Sequence, residues 1–340
     1  MKDKVDSKDW NVNLPETKLG FIGAGTHATN MLFPSLNYLD FIQRVAVCDI
    51  NRERAEFVAK RFGFDRTYTD YNEMFEKEDL DGVVVCINAG QHPKVVKACM
   101  EAGLDVFVEK PVSVTHEETK ELWELSQKLG RIVMVDHQKR GSAAYRKAMD
   151  IIKRPEFGEV MMIEAKAHGY PYDTLLTCLL EWHSHAVDIF RAFGSDIVEL
   201  KAMGKSVAKN RCAIGLVCKF ENGVVGTANW GTEGNRGYFC ERIEVVGAMC
   251  GVIVENARKV TYYRENTSEV WESDWAPLSV NMTHVLDGYV ENIRSFCEGI
   301  YTRVAPKPSL YDEWKNIEIL HEICDQLGFE KEWKVVIGER

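Results

Sequence analysis

Two short stretches carry residue types able to move protons. The first is Asp105-Val106-Phe107-Val108-Glu109-Lys110-Pro111-Val112. Val106 to Val108 reads as a buried strand, the charged pair Glu109-Lys110 follows at once, and Pro111 stops the strand. In an open α/β sheet the carboxyl end of a strand is where ligands bind. A partly desolvated lysine there can hydrogen-bond or exchange protons with a reacting oxygen. An ordinary strand-end ion pair is the competing explanation. The second stretch is Cys178-Leu179-Leu180-Glu181-Trp182-His183-Ser184-His185-Ala186-Val187-Asp188. At about 100° per residue in a helix, Glu181 and His185 share a face, with Cys178 and Asp188 beside them and His183 nearly opposite. A histidine held by a carboxylate is a general base near neutral pH. A structural Glu–His pair on a solvated face has the same spacing. Cys178, Glu181, His185 and Asp188 are also metal-ligand types. Four ligands on one straight helix rarely close a tetrahedron, so no metal is expected.

The elements that position these residues differ between the two halves of the chain. Lys18 to Ile22 is a strand running into Gly23-Ala24-Gly25-Thr26-His27-Ala28, a G-x-G-x-x-A dinucleotide fingerprint. Gly23 allows the tight turn, Gly25 lets the backbone approach a pyrophosphate, and Ala28 is small enough for close helix–strand packing. The helix that follows, to about Leu36, points its N-terminus at the phosphates. Arg44 to Asp49 is a second strand, and Asp49 stands 24 residues past Gly25. That is near the ~20 expected of the carboxylate that binds the adenosine ribose. Such a carboxylate repels a 2′-phosphate and favours NAD, whereas Arg52 nearby can accommodate the phosphate of NADP. A plain helix N-cap is the other explanation of Asp49. Strand 81–87, helix 93–102, strand 105–109, helix 117–129 and strand 132–135 continue the alternation. The expectation is an α/β Rossmann domain, a doubly wound parallel sheet, over residues 15–137.

Beyond residue 155 strands follow one another without helices between them, and Asn222-Gly223 is a hairpin signal. The expectation for residues 138–335 is an α+β domain with an open, mainly antiparallel sheet, framed by helices 175–193, 282–299 and 311–327. An open sheet needs its outer face covered, so a homodimer or homotetramer is expected. The net charge of −10 argues against nucleic acid as a partner. No run reaches the ~18 apolar residues of a membrane span. The polar start, Met1 to Asn13, lacks a signal-peptide core, and the ten cysteines include no CxxC pair. A cytoplasmic protein with reduced thiols is expected.

The ordered set Gly23-Ala24-Gly25-Thr26-His27-Ala28, Asp49, Glu109-Lys110-Pro111, His185-Ala186-Val187-Asp188 and the glycine turn Gly247 to Gly251 resembles a known family. It is the glucose–fructose oxidoreductase, inositol dehydrogenase and rhizopine-catabolism (Gfo/Idh/MocA) family of NAD(P)-dependent sugar and polyol dehydrogenases. The resemblance runs from Leu19 to about Leu327. It implies NAD, or NADP, as cofactor, held by Gly23, Gly25, Thr26, His27, Ala28, Asp49, Arg52, Asn88, His92, Glu109 and Lys110. Lys110 looks like the family's active-site lysine and His185 like its base. Glu181 stands where the family often has an aspartate. Where the family often has Thr-Pro-Asn and a later histidine, this chain has Ile87-Asn88-Ala89 and then His92, which reads as a packing residue. The implied substrate is a sugar or cyclic polyol, with Tyr172, Asp173 and Trp182 as pocket residues. Two other functions stay open. One is NAD-dependent cleavage of a glycosidic bond with transient oxidation. The other is a catalytically silent sugar or cofactor sensor, against which the presence of both Lys110 and His185 counts.

Overall fold

Apolar runs too short for helices, each followed by an amphipathic helix, demand a sheet buried on both faces. The computed structural model describes residues 14–208, 210–232, 241–273 and 283–329. The Met1 to Asn13 stretch, the expected helix start at Met282 and the expected domain end at residue 335 lie outside the described residues. The chain clusters into two units. The first holds the described residues up to Ser113, Glu117–Gln138 and Gly288–Tyr311. The second holds Val114–His116, Lys139–Asp287 and the described residues from Asp312.

In the first unit, β1 (Thr17–Ile22) leads to a π turn (Ala28–Leu32), α1 (Phe33–Ser35) and a 3-10 turn (Leu36–Tyr38). Then come β2 (Ile42–Cys48), α2 (Arg52–Phe62), β3 (Arg66–Tyr68), α3 (Tyr71–Lys77), β4 (Gly82–Val85), α4 (His92–Glu101), β5 (Asp105–Glu109), α5 (His116–Leu129) and β6 (Val133–Asp136). The strands are parallel in the order β3-β2-β1-β4-β5-β6, the doubly wound order. Val83–Val85, Val106–Val108 and Val133–Val135 are all buried, as central strands require. The edge strand β3 and α3 were not anticipated. β3 is only three residues long and half-exposed, so it carries no apolar run to detect. The helix after the glycine loop is not regular. Its π turn closes with the Phe33 N–H on the Ala28 carbonyl. The widening makes room for the Pro34 ring, which a regular α turn would drive into the preceding carbonyl. Helix α10 (Tyr289–Thr302) covers the other end of this sheet, with Phe296 and Phe107 centroids 5.8 Å apart.

The second unit is built on an eight-stranded sheet. Its elements are α6 (Ala143–Ile152), β7 (Met162–His168), α7 (Leu175–Cys178), a π turn (Leu179–His183), α8 (Ser184–Gly194), β8 (Ile197–Ala208), β9 (Arg211–Phe220) and β10 (Val225–Gly231). Next are β11 (Glu241–Val246), β12 (Cys250–Glu255), β13 (Lys259–Arg264), β14 (Thr267–Glu272) and α9 (Thr283–Leu286), and α11 (Leu310–Leu327) ends the described chain. The order is β14-β13-β12-β11-β7-β10-β9-β8, antiparallel except for β7 beside β10. Asn222-Gly223 turns between β9 and β10 as expected, with Gly223 at φ 86°. One face of the sheet packs Ile163, Ala228, Trp230, Ile243 and Val245 into a core with Val187 and Phe190 of α8. The other face leaves Met203, Val217, Val225 and Val270 exposed.

Two expected helices are corrected. The stretch expected as helix 175–193 is two α segments joined by a π turn, so a constant 100° per residue does not carry across it. The stretch expected as helix 282–299 breaks at Asp287-Gly288, where Gly288 takes φ 99°, a conformation that favours glycine. Helix α8 is anchored by buried charge. Arg140 reaches both carboxylate oxygens of Asp188 at 2.6 and 2.7 Å, and Asn316 donates to the same group at 3.0 Å. Arg191 donates to the Asp312 carbonyl and to Asn316, each at 2.8 Å.

Candidate active site

The glycine loop separates what the chain needs from what a ligand needs. Gly23 takes φ 102°, and a Cβ there would lie 2.0 Å from the Cys86 carbonyl oxygen, so the fold itself demands glycine. A Cβ on Gly25 would meet nothing within 4 Å. The packing of the chain leaves room for a Cβ at 25, so a demand for glycine there would have to come from a group approaching the backbone, such as the pyrophosphate of a dinucleotide. Gly25→Ala is therefore expected to leave stability unchanged or raise it by about 0.4–1 kcal/mol. NADH affinity, followed by its fluorescence, should fall at least about tenfold. Equal NADH affinity in the variant would remove Gly25 from the cofactor site.

Asp49 ends β2 with its carboxylate buried. Oδ2 accepts from the Ala24 N–H at 2.8 Å and Oδ1 from the Asn51 N–H at 2.9 Å. The cap of α2 is Asn51, which accepts from Arg54 N–H at 3.0 Å, so Asp49 is not that helix's N-cap. Asp49 is instead tied to the glycine loop. Arg52 turns to Glu56, 4.0 Å away, and the guanidinium beside Asp49 is that of Arg54, at 3.8 Å. The sequence alone missed Arg54. Recognising Asn51 as the cap would have put Arg54 at the end of the first turn, on the same side as the loop.

At the carboxyl end of β5, Glu109 is buried and Lys110 half-exposed. Glu109 bonds His27 Nε2 at 2.8 Å and pairs in register with Asp136 on β6. Burial would raise the Glu109 pKa, but His27 and Lys110 outweigh it and hold the group below its ordinary value. Burial and then the Glu109 charge push Asp136 well above its own. Asn292 of α10 donates to Asp136 at 2.9 Å. Asp136 and Asn292 were missed because cross-strand register is not written in the sequence. His92 is buried, with Nδ1 2.9 Å from the Pro111 carbonyl and Nε2 accepting a long bond from Ile87 N–H at 3.4 Å. It thereby staples the loop after β4 to the turn that presents Lys110. Asn88 caps the short turn before α4 through Gly90 N–H, at 3.0 Å. Thr26, His27 and Ala28 form the first turn after the loop.

In the second unit, His185 lies in the first turn of α8 and is 8% exposed, while Glu181 sits half-buried inside the π turn. His183 is fully buried beside Trp230, at 6.0 Å between ring centroids. Burial pushes its pKa down to about 4, so it is neutral at physiological pH. The other two residues of the expected face are engaged elsewhere. Cys178 donates to the Tyr170 carbonyl at 3.0 Å, and Asp188 is held by Arg140 and Asn316. Trp182 is half-buried, with the Tyr170 ring edge-on at 5.1 Å and Lys139 Nζ 5.9 Å from its centroid. It lies where a Cβ on Gly169 would come within 2.3 Å of it, so Gly169 makes its seat. Tyr172 is half-buried and Asp173 exposed on the segment before α7. Trp230 belongs to the core.

Residues 17–137 match the model of the GFO_IDH_MocA family, an oxidoreductase family with an NAD-binding Rossmann fold. The chain is 23% identical over 310 residues to a myo-inositol 2-dehydrogenase of Thermotoga maritima, covering 86% of this chain and 90% of the relative. Among solved structures, a dehydrogenase from Chromobacterium violaceum superimposes with a TM-score of 0.85 at 21% identity, covering 93% of this chain and 96% of that one. A levoglucosan dehydrogenase in complex with NADH and levoglucosan superimposes with a TM-score of 0.79 at 16% identity, covering 95% of this chain and all (100%) of the other. No helix among the described residues is long and apolar enough to cross a membrane.

Proposed function

From the match of residues 17–137 to the Gfo/Idh/MocA family of NAD-binding oxidoreductases, we propose that the chain is a dehydrogenase of a secondary alcohol on a sugar, sugar derivative or cyclic polyol. The observation that carries this is the joint presence, in the first unit, of a glycine loop open at Gly25 and a half-exposed lysine at the end of β5. One holds a dinucleotide and the other can meet a reacting oxygen. The second unit adds His185 and the aromatic pair Tyr170 and Trp182, whose ring faces suit the C–H faces of a sugar ring. NAD, when bound, supplies the hydride acceptor. Lys110 donates a hydrogen bond to the hydroxyl oxygen and steadies it as it gains charge. His185 takes the hydroxyl proton, and Glu181 orients it. The exposed face of the second sheet, with Val217 and Val225 on it, supports self-association. A screen of inositols, pyranoses and glycosides with each cofactor, read by absorbance of the reduced nicotinamide, tests the reading. Product analysis separates net dehydrogenation from bond cleavage with transient oxidation.

Cofactor choice follows from Asp49. Its carboxylate would receive the adenosine ribose diol and repel a 2′-phosphate, so NAD is expected to be used with the higher kcat/KM. Higher efficiency with NADP would mean that Arg54, 3.8 Å from Asp49, dominates that end of the site.

A further inference from the structure

Helix α8 carries His185 in its first turn and is entered through the π turn Leu179–His183. A widened turn does not pass on the register of the helix before it, so α7 does not fix the direction in which the first residues of α8 point. His183, in the N-cap place, makes no side-chain cap bond, and the hydroxyl of the buried Ser184 has no hydrogen-bond partner. The helix is gripped one turn further on. Asp188 stands three residues after His185, about 4.5 Å along the axis and about 60° round it. Its carboxylate is fully buried. Arg140, on the short turn Gln138–Gly141, donates from Nε to Oδ2 at 2.6 Å and from Nη2 to Oδ1 at 2.7 Å. Asn316 of α11 donates to Oδ1 at 3.0 Å, and the same Arg140 Nη2 reaches Asp312 Oδ1 at 3.2 Å. One turn beyond, Arg191 bonds Asn316 and the Asp312 carbonyl.

A guanidinium fork on both oxygens of a carboxylate fixes direction as well as distance. A rotation or slide of α8 that swings His185 therefore stretches at least one arm of this contact. Buried ion pairs contribute little net stability compared with apolar packing of the same volume. What the fork adds is a defined orientation. We propose that Arg140 is a positioning residue for the reaction: by gripping both oxygens of Asp188 it holds α8 in the rotation that presents His185 to the substrate hydroxyl. The inference rests on the reading of His185 as the base. Arg140 acts through Asp188 and takes no part in the proton or hydride transfer.

The test uses the whole protein. Activity is read with NAD and the inositols and pyranoses of the screen, cofactor binding by NADH fluorescence, and the His185 ring by its Cε1–H resonance in histidine-labelled protein. Arg140→Lys keeps the charge but loses the fork. It is expected to bind NADH as the wild type does, because the assigned cofactor groups lie in the first unit. Its kcat should fall roughly 100-fold, the scale of a misplacement by about 1 Å. The His185 resonance should move while that of His92, in the first unit, stays. In a His185→Gln background the same change should alter the residual rate less than about twofold, since the two residues act as one unit. If Arg140→Lys does not fold, Asn316→Ala, which takes one donor from the same carboxylate, carries the test with a loss of about tenfold. Wild-type kcat in the folded variant overturns the proposal. So do losses that multiply with that of His185→Gln, which would make Arg140 merely structural. A wild type that oxidises no alcohol fails the dehydrogenase reading instead, and the resonance then decides: an unmoved His185 in Arg140→Lys overturns the positioning role, and a moved one supports it.

Discussion

Lys110→Ala is expected to lower kcat by roughly 1,000-fold, the scale for removing one donor aimed at a developing oxyanion. The side chain is half-exposed at the carboxyl end of β5, so its truncation opens no core cavity. Val106, Phe107 and Val108, which hold the strand in the sheet, are untouched and fully buried. His92 also keeps its bond to the Pro111 carbonyl, so the turn survives. The thermal midpoint should therefore move little while turnover collapses, and kcat and kcat/KM should fall together. Lys110 also helps hold Glu109 ionised. The variant should for that reason be compared at several pH values. Near-normal turnover would reduce Lys110 to a strand-end ion pair.

His185→Ala should remove most of the rate and the rising limb of the pH–rate profile, whereas His183→Ala should do much less. In the oxidative direction the base must start unprotonated, so activity rises with pH through its ionisation. A neighbouring carboxylate favours the protonated imidazole. If Glu181 orients His185 as proposed, Glu181→Gln should shift the limb to lower pH and reduce turnover through lost orientation. His183 is excluded as the source of that limb on separate grounds. With its pKa pushed down to about 4 by burial, it stays neutral through the whole range where activity is measured. Its effect is on stability instead. The unfolded histidine binds a proton below about pH 6.5 and the folded one does not until about 4. Stability is thus lost as pH falls through that window. If His183→Ala abolished the limb and His185→Ala spared it, the assignment of the base would be reversed.

The parallel sheet was legible because β4, β5 and β6 hold valine-rich continuous apolar runs, as strands buried on both faces do. β3 and the hairpin of β13 and β14 were not. The first is too short, and the second turns at Glu265-Asn266, with Glu265 at φ 55° and no glycine to mark it. Apolar periodicity located α10 but does not say which sheet a helix covers; Asn292 on Asp136 does. At the candidate site, the places of Gly23, Asp49 and Glu109 at strand ends were legible. Arg54 and Asp136 were missed, since one depends on where a helix is capped and the other on cross-strand register. The π turn Leu179–His183 was invisible for a further reason. Leu, Glu, Trp and His fit a regular helix as well as a widened one, so residue type does not mark the turn.

Hydride transfer from carbon to nicotinamide is the central claim, and isotope transfer tests it most directly. The protein is incubated with NAD and C-deuterated inositol or pyranose, and the reduced cofactor is weighed by mass spectrometry alongside the sugar product. The expected result is reduced nicotinamide carrying one deuterium in step with a carbonyl product of the same carbon skeleton. Reduced cofactor without the label, or a cleaved product with no net reduced cofactor, would contradict it.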